Sequence, residues 1–197
     1  LRVTRAHRFH LSRSYQASAP DVVPAEALRP GDRLWKYEMP VVEAGEAVDH
    51  AVAYSQGVYA GDGYLREGVR PSVWPYRHKQ ALLPSPALAR GDGQRTGVLL
   101  DRRVHADKRF VPHRWDRTGR LAWLAGLLDT DGYLTKDGSL RVTSTDRAFL
   151  LETKLLLTTL SVQAKVTPER GARVKEIPDD YGERRGYARQ PIWRLLI

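Results

Sequence analysis

In "LAGLLDTDGYL", residues 124–134, an apolar run ends in two acids and a glycine. Leucines recur at helical spacing from residue 120 onwards, so "RLAWLAGLLDTD" is predicted to form one amphipathic helix with small residues that allow a second helix to approach. Gly132 is expected to end this helix as a C-terminal cap would. Asp131 then lies at the negative end of the helix dipole, so we expect a compensating partner, for which a divalent cation is the simplest choice.

A second copy of this pattern lies upstream, in "AVAYSQGVYAGDGYL" at residues 51–65. Gly57 corresponds to Gly126, and Asp62 corresponds to Asp131. An internal repeat of this kind implies a pseudo-twofold domain, in which two such helices packed side by side would bring the acids together. Paired carboxylates suit a hard cation with oxygen ligands. Each helix taken alone could equally be a buried helix that ends in an ordinary turn.

Composition and charge restrict the partners and the chemistry. The chain has no cysteine, which excludes disulfides and thiol chemistry within it. Of the net charge of +9, most arises between residues 64 and 120, where thirteen basic and five acidic residues are interleaved with Trp, Tyr and His. This pattern favours a polyphosphate partner, although a solvated basic face is the alternative. No membrane span or signal peptide is visible, which predicts a cytoplasmic protein.

The segment "LAGLLDTDG" differs from the motif of the LAGLIDADG homing endonucleases at two of nine positions, and "SQGVYAGDG" resembles a more divergent first copy. The resemblance implies an α+β domain of two αββαββα repeats, acting as a monomer, whose antiparallel strands form a saddle over double-stranded DNA. It also implies Mg²⁺-dependent cleavage, with the metal held by the last acid of each motif, Asp62 and Asp131. Asp129 occupies the earlier acidic position, where the first copy has Ala60, and is not expected to bind metal.

A third catalytic residue is implied by "KRFVPHRW", residues 108–115, because many intein endonucleases have a lysine near an aliphatic-proline pair at this point. Lys108 is the candidate for stabilising phosphate charge and Arg109 is the runner-up; a surface basic cluster is the alternative. The first repeat is expected to be abbreviated, because "HKQALLPSPALARGDGQ" at residues 78–94 is rich in proline and glycine. Whether cleavage activity is complete therefore stays open.

The second repeat follows the family's order of elements. "GYLTKDG" and "SLRVTST" are predicted to form a hairpin, "TDRAFLLETKLLLTTLS" a helix capped by Thr145 or Asp146, and "VQAKVTPE" and "PIWRLLI" two further strands. Alternation places polar side chains on an exposed face that suits a DNA groove, although solvent exposure alone predicts the same pattern. Together with the basic segments, this predicts DNA contacts from Arg102, Arg103, Arg109, Arg114, Arg141, Thr143, Gln163 and Lys165.

The first 40 residues resemble part of an intein Hint splicing domain. "RVTRAHRFHLSR" contains a Thr-x-x-His element, and "VVPAEALRPGDRLW" contains a polar turn of the "L-x-P-G-D" kind. The resemblance implies that Thr4 and His7 assist the first acyl shift of protein splicing, in which histidine destabilises the scissile amide. It also predicts an all-β Hint segment over residues 1–46, followed by the endonuclease domain over residues 47–197.

The chain begins at Leu1, ends at Ile197 and contains no asparagine, whereas splicing needs a Cys or Ser at the first position and normally a terminal Asn. We therefore expect the interior portion of an intein, unable to splice alone, whose partners include a host extein polypeptide and the missing N- and C-terminal intein segments. Two alternatives remain at this stage. One is an RNA maturase on the same scaffold, and the other is a nuclease-inactive LAGLIDADG DNA-binding module.

Overall fold

The chain has a mixed α/β architecture. A computed structural model describes residues 2–14, 18–36, 39–66, 70–74, 79, 97–178 and 184–197. Two compact units are present, Leu1–Glu38 and Met39–Ile197. The described part contains three α-helices and several sheets, which is compatible with a LAGLIDADG domain. None of these helices is long and apolar enough to cross a membrane.

The first unit is built from short strands and turns in its described residues. Strand β1 (Arg8–Leu11) pairs antiparallel with β2 (Asp21–Pro24), and a 3₁₀ turn covers Ala25–Ala27. The expected polar turn is confirmed, because Gly31 has a φ of 96° and the backbone N–H of Arg29 donates to Asp32 Oδ2 at 2.8 Å. Glycine adopts this left-handed conformation without steric cost.

Two helices form the centre of the second unit, and both were predicted from the repeated motif. They are α1 (His50–Asp62) and α2 (Arg117–Asp131), capped at their starts by Asp49 and Asp116. They cross where Gly57 faces the backbone of Trp123 and Gly126 faces the backbone of Tyr54. A Cβ at either glycine would clash with a backbone carbonyl oxygen of the other helix. The two small residues therefore set how closely the helices approach.

Gly132 is the C-terminal cap of α2, as predicted, and its backbone N–H donates to the carbonyl oxygen of Leu128. Gly63 and Gly132 have φ angles of −76° and −74° and extended backbones, and each begins a strand directly after its helix. A Cβ at Gly132 would clash with the carbonyl oxygen of Leu128, and one at Gly63 with Tyr59. Glycine is needed here because the strand starts against the last turn of the helix.

Each motif helix leads into its own antiparallel sheet. After α1 come β3 (Gly63–Arg66), β4 (Arg70–Val73) and β5 (Val98–Leu99), in the order β3-β4-β5. The expected abbreviation of the first repeat falls on residues 78–94, which lie outside the described residues apart from Lys79. Lys79 is part-buried.

The second repeat has the predicted order of elements. The helix α3 (Arg147–Thr159) is capped by Asp146, whose Oδ1 accepts from the Phe149 N–H at 3.0 Å. The sheet has the order β6-β7-β11-β8. Its strands are β6 (Gly132–Leu134), β7 (Leu140–Ser144), β8 (Lys165–Arg170) and β11 (Ile192–Leu196).

The third strand of this repeat starts later than predicted, so Gln163 precedes it. Ser161 has a φ of 62°, its N–H donates to Thr158 O at 3.1 Å, and the Val162 N–H donates to Leu157 O at 2.9 Å. This is the Schellman pattern that ends helices. Val162, which was predicted to start the strand, therefore belongs to the C-terminal turn of α3.

A two-stranded ribbon, β9 (Arg173–Pro178) paired antiparallel with β10 (Arg184–Arg189), was not predicted. It lies between β8 and β11 in the chain. Val174 is 70% exposed and Ala188, opposite it, is also exposed. Because Lys175 and Tyr187 on the other face are exposed as well, no alternation of buried apolar residues marks the ribbon in the sequence.

Two apolar cores flank the crossed helices. One lies on the first repeat and includes Val52, Tyr59, Val73 and Leu100. The other lies between α2, α3 and the four-stranded sheet, with a larger set of buried side chains: Ala60, Trp123, Leu127, Val142, Phe149, Leu150, Leu156, Leu157, Leu160 and Leu195. Fully burying each large side chain of these cores contributes about 1.5–3 kcal/mol.

Residues 39–46 were assigned from the sequence to the first domain, and the structure places them in the second unit. The backbone N–H of Val42 donates to Thr159 O at 2.9 Å, and its carbonyl oxygen accepts from the buried guanidinium of Arg120. Glu46 donates its N–H to Arg114 O at 2.8 Å. This segment is therefore held by α2, α3 and the loop before α2.

Candidate active site

The crossed helices bring the last acids of the two motif copies together. A Cβ at Gly61 would clash with the side chain of Thr130 and would lie 3.4 Å from Asp131 Cγ. Gly61 and Thr130 are the residues that directly precede Asp62 and Asp131. The pKa of Asp131 is raised, first by desolvation and then by repulsion from Asp62, and nearby cations offset only part of this. The two carboxylates therefore lie within each other's electrostatic field.

Lys108 lies beside both acids in the loop that precedes α2. Desolvation is the largest cause of its lowered pKa, followed by repulsion from Arg109, while Asp131 and Asp62 act in the opposite direction. The side chain is part-buried. A part-buried ammonium group in the electrostatic field of two carboxylates suits the binding of phosphate charge.

The position of Lys108 depends on two residues of α1 that the sequence reading did not single out. Gln56 Oε1 accepts from the His105 N–H at 2.6 Å, and Gln56 Nε2 donates to His105 O at 3.4 Å. Tyr59 Oη donates to Ala106 O at 2.9 Å. These bonds fix the backbone two to three residues before Lys108. The sequence feature that could have indicated this role is the polar Gln56 inside an otherwise apolar motif.

Lys79 is a second lysine at the site, and the sequence reading missed it. Its Nζ donates to Asp62 Oδ2 at 2.6 Å and to the backbone carbonyl oxygen of Thr130 at 2.8 Å. The two acceptors come from the C-terminal ends of the two motif helices. No local pattern in the sequence indicated this residue, because it lies in the proline- and glycine-rich stretch of residues 78–94.

Asp129, the earlier acid of the second motif, is bonded to the other helix. Tyr54 Oη donates to Asp129 Oδ2 at 2.7 Å. The pKa of Tyr54 is raised strongly, first by burial and then by this hydrogen bond. Asp129 thus ties α2 to α1.

The donor set at the helix ends fits a divalent cation. Carboxylate and carbonyl oxygens are the ligands that hard cations take, and Asp62, Asp131 and Thr130 supply both kinds. The ammonium of Lys79 already lies between two of these oxygens, which shows that a positive charge is favoured there. Among the residues that the structure describes, no group of three or more His, Asp or Glu side chains is arranged to hold a metal ion.

Two of the arginines predicted to contact DNA are held by intramolecular ion pairs. Arg109 Nε lies 3.4 Å from Asp146 Oδ2, and its guanidinium lies over the ring of Phe149. Arg103 forms a two-point pair with Asp101, which lowers the pKa of Asp101 to about 2. Residues Arg102 and Arg114 are exposed.

The predicted face of the four-stranded sheet is present. Arg141 pairs across strands with Tyr133 and Leu196, and Thr143 pairs with Arg194, so these residues share one face with Lys165. The opposite face buries a row formed by Val142, Leu195 and Val166. Gln163 is exposed but lies before the strand.

The ribbon adds a second basic surface. Its register places Arg173 opposite Arg189 and Lys175 opposite Tyr187, so all four side chains share one face. Arg173, Lys175 and Tyr187 are exposed. A twisted two-stranded ribbon with basic and aromatic side chains has the dimensions of a DNA groove ligand.

The two predicted splicing residues lie in one turn of the first unit. The His7 N–H donates to Thr4 O at 3.1 Å, and the His7 ring packs edge-on against Phe9 with centroids 5.1 Å apart. Both residues are exposed and precede β1. The sheet of β1 and β2 is separate from the sheet that carries Arg141.

Comparison with known proteins identifies a LAGLIDADG-like domain at residues 118–196, which spans α2 to β11. The first motif copy lies before this match. The whole chain is also similar to the ribonucleoside-diphosphate reductase large subunit of Invertebrate iridescent virus 6, with 29% identity over 218 aligned residues. The chain spans 22% of the length of that protein. A LAGLIDADG-like domain supports a nuclease of the homing endonuclease type and a double-stranded DNA partner at the level of the family.

Proposed function

We propose that this chain is the interior portion of an intein that carries a homing endonuclease domain, and that this domain cuts double-stranded DNA at a specific site with Mg²⁺. The observation that carries the proposal is the crossing of α1 and α2 through Gly57 and Gly126. Asp62 and Asp131, the last residues of the two helices, interact electrostatically, and Lys108 lies in the field of both. The LAGLIDADG-like domain at residues 118–196 supports the same reaction class.

Asp62 and Asp131 would hold the metal. A divalent cation bound there supplies the activation of a water molecule and charge stabilisation for the leaving oxygen of a phosphodiester. Desolvation and then repulsion from Asp62 raise the pKa of Asp131, and a bound cation would offset both effects. Lys108 contributes a part-buried ammonium that binds a phosphate oxygen.

The four-stranded sheet would lie on the DNA. Arg141, Thr143 and Lys165 share its free face and would reach a groove, while Gln163, Arg102 and Arg114 are exposed and available for further contacts. Arg109 and Arg103 would have to exchange their carboxylate partners for phosphate. The ribbon of β9 and β10 would add contacts to the DNA flanking the site. Affinity would come mainly from Lys and Arg contacts to phosphates.

The intein part of the proposal rests on the first unit and on the reductase similarity. Thr4 and His7 occupy one turn, where they would assist the first acyl shift by polarising the scissile amide. A whole-chain match to 22% of a reductase subunit fits an element inserted in a host protein, whose flanking exteins would be its partners.

The experiment is a cleavage assay with DNA that encodes the host protein without the insertion. The chain, supplied with Mg²⁺, is expected to cut this DNA at the insertion point. Replacing Asp131 by Asn should lower the cleavage rate at least about 100-fold, because the metal loses a charged ligand. DNA binding in EDTA and its salt dependence should be unchanged, because phosphate contacts carry the affinity.

The matched control is Asp129→Asn, which makes the same change two positions away and keeps an acceptor for Tyr54. This variant should cut at a rate close to that of the wild type. Binding without any cleavage by the wild type would indicate the nuclease-inactive module instead. Preferential binding of structured RNA would indicate the maturase.

A further inference from the structure

Lys79 makes a contact that neither the motif nor the proposed reaction explains. Its Nζ bonds Asp62 Oδ2 at 2.6 Å and Thr130 O at 2.8 Å. One acceptor belongs to the end of α1 and the other to the end of α2. The Lys79 and Asp62 side chains are 24% and 25% exposed, so the pair is largely shielded from water.

These two acceptors are of the kind that a divalent cation would take. A carboxylate oxygen and a backbone carbonyl oxygen, presented from two helices beside a second carboxylate, form part of an oxygen coordination shell. The ammonium group of Lys79 carries several N–H donors and one positive charge, so it forms hydrogen bonds with both of these oxygens. Lys79 therefore occupies a cation position and bridges the two helix ends as a metal would.

We infer that Lys79 is a built-in competitor for the metal: it fills the cation position between Asp62 and Thr130 in the metal-free protein and must leave it when a divalent cation binds. This inference rests on the proposed function, because it assumes that Asp62 and Asp131 bind metal. Two consequences follow. Lys79 weakens metal binding, and it stabilises the metal-free protein by offsetting the negative charge at the helix ends.

The test is a calorimetric titration of the 197-residue chain with Mn²⁺. Among the divalent first-row metals, Mn²⁺ generally binds N/O sites most weakly. Replacing Lys79 by Met removes the ammonium group and keeps an unbranched side chain. The Lys79→Met variant should bind Mn²⁺ about tenfold more tightly than the wild type. Without metal, the Lys79→Met variant should unfold at a lower temperature than the wild type. Saturating Mn²⁺ should reduce this difference in unfolding temperature, because ligands stabilise the state that they bind.

The matched control is Lys136→Met, which removes one positive charge from an exposed turn of the β6–β7 hairpin. Its Mn²⁺ affinity should equal that of the wild type within about twofold. Equal or weaker Mn²⁺ binding by Lys79→Met would overturn the inference and leave the metal site in place. If none of the three proteins binds Mn²⁺, both the inference and the metal part of the proposed function are overturned.

Discussion

The two copies of the motif helix share a backbone geometry and differ in their surroundings. Helix α1 buries nine of its thirteen residues, whereas α2 exposes one side, on which Leu121, Ala125 and Asp129 lie. The glycines at the crossing are equivalent in the two copies. Neighbouring positions are not, since Gln56 is buried and its counterpart Ala125 is exposed.

The two acids at the helix ends also differ. Asp62 forms an ion pair with Lys79, whereas Asp131 keeps an exposed side chain and has a pKa that partial desolvation and repulsion from Asp62 raise. The residues before the acids differ in the same sense, because the Thr130 side chain fills the space that Gly61 leaves empty. The repeat therefore fixes how the backbones cross, while the side chains beside the crossing give the two acids different surroundings.

The largest loss of stability is expected at the crossing point of α1 and α2, which both copies share. Replacing Gly57 by Ala places a Cβ against the carbonyl oxygen of Trp123, which belongs to rigid helix backbone. The free energy of unfolding should fall by about 3 kcal/mol or more, because overpacking at backbone contacts is relieved only by moving the helices. Urea denaturation measures this loss.

Gly171→Ala is the matched control, because a Cβ there meets nothing within 4 Å. Its stability should stay within about 0.5 kcal/mol of the wild type. A Gly57→Ala variant as stable as this control would show that the glycines do not set the crossing.

A smaller effect is expected where the copies differ, at Gln56. Replacing Gln56 by Leu removes both bonds to the backbone of His105 and should lower the free energy of unfolding by about 1–2 kcal/mol. Amide hydrogen exchange should speed up most at residues 105–108, because the loop with Lys108 loses its support from α1. Ala125→Gln, at the equivalent exposed position, should change neither quantity. Uniform exchange changes over the whole chain would contradict a local role for Gln56.

The smallest changes in the free energy of unfolding are expected at the two acids in the absence of metal, and these two changes have opposite signs. Asp62→Asn should lower the free energy of unfolding by about 1 kcal/mol, because it breaks the ion pair with Lys79. Asp131→Asn should raise it by less than about 1 kcal/mol, because it removes a carboxylate whose ionisation is disfavoured in the folded state.

The pH dependence of the Asp131→Asn effect follows from the raised pKa. At a pH below the ordinary range of Asp, the carboxyl is neutral in both states, so wild type and variant differ little. As the pH rises, the unfolded state ionises first and the wild type loses stability relative to the variant. The gain of the variant should therefore grow through the window between the ordinary and the raised pKa and then level off. Urea titrations in EDTA from about pH 3 to pH 8 measure it, and a gain that shrinks with rising pH would contradict the assignment.

Much of the second repeat could be predicted because its side chains alternate between core and solvent. The α2 helix, β7, α3 and β11 each bury one apolar side, and burial of that side selects the element. The ribbon of β9 and β10 was missed because exposed residues lie on both its faces, Val174 and Ala188 on one and Lys175 and Tyr187 on the other. The start of β8 was misplaced because the left-handed Ser161 extends the end of α3.

The sequence by itself determined the repeated helix, the glycines at its crossing, the two acids and the basic segment with Lys108, because each of these is a local pattern of residue types. Only the tertiary structure decided which groups surround the acids. The contact of Lys79 with Asp62 and Thr130, and the support of the Lys108 loop by Gln56 and Tyr59, join residues that are far apart in the chain. No spacing rule relates such residues, since their proximity arises only once the two helices have crossed and their apolar sides are buried.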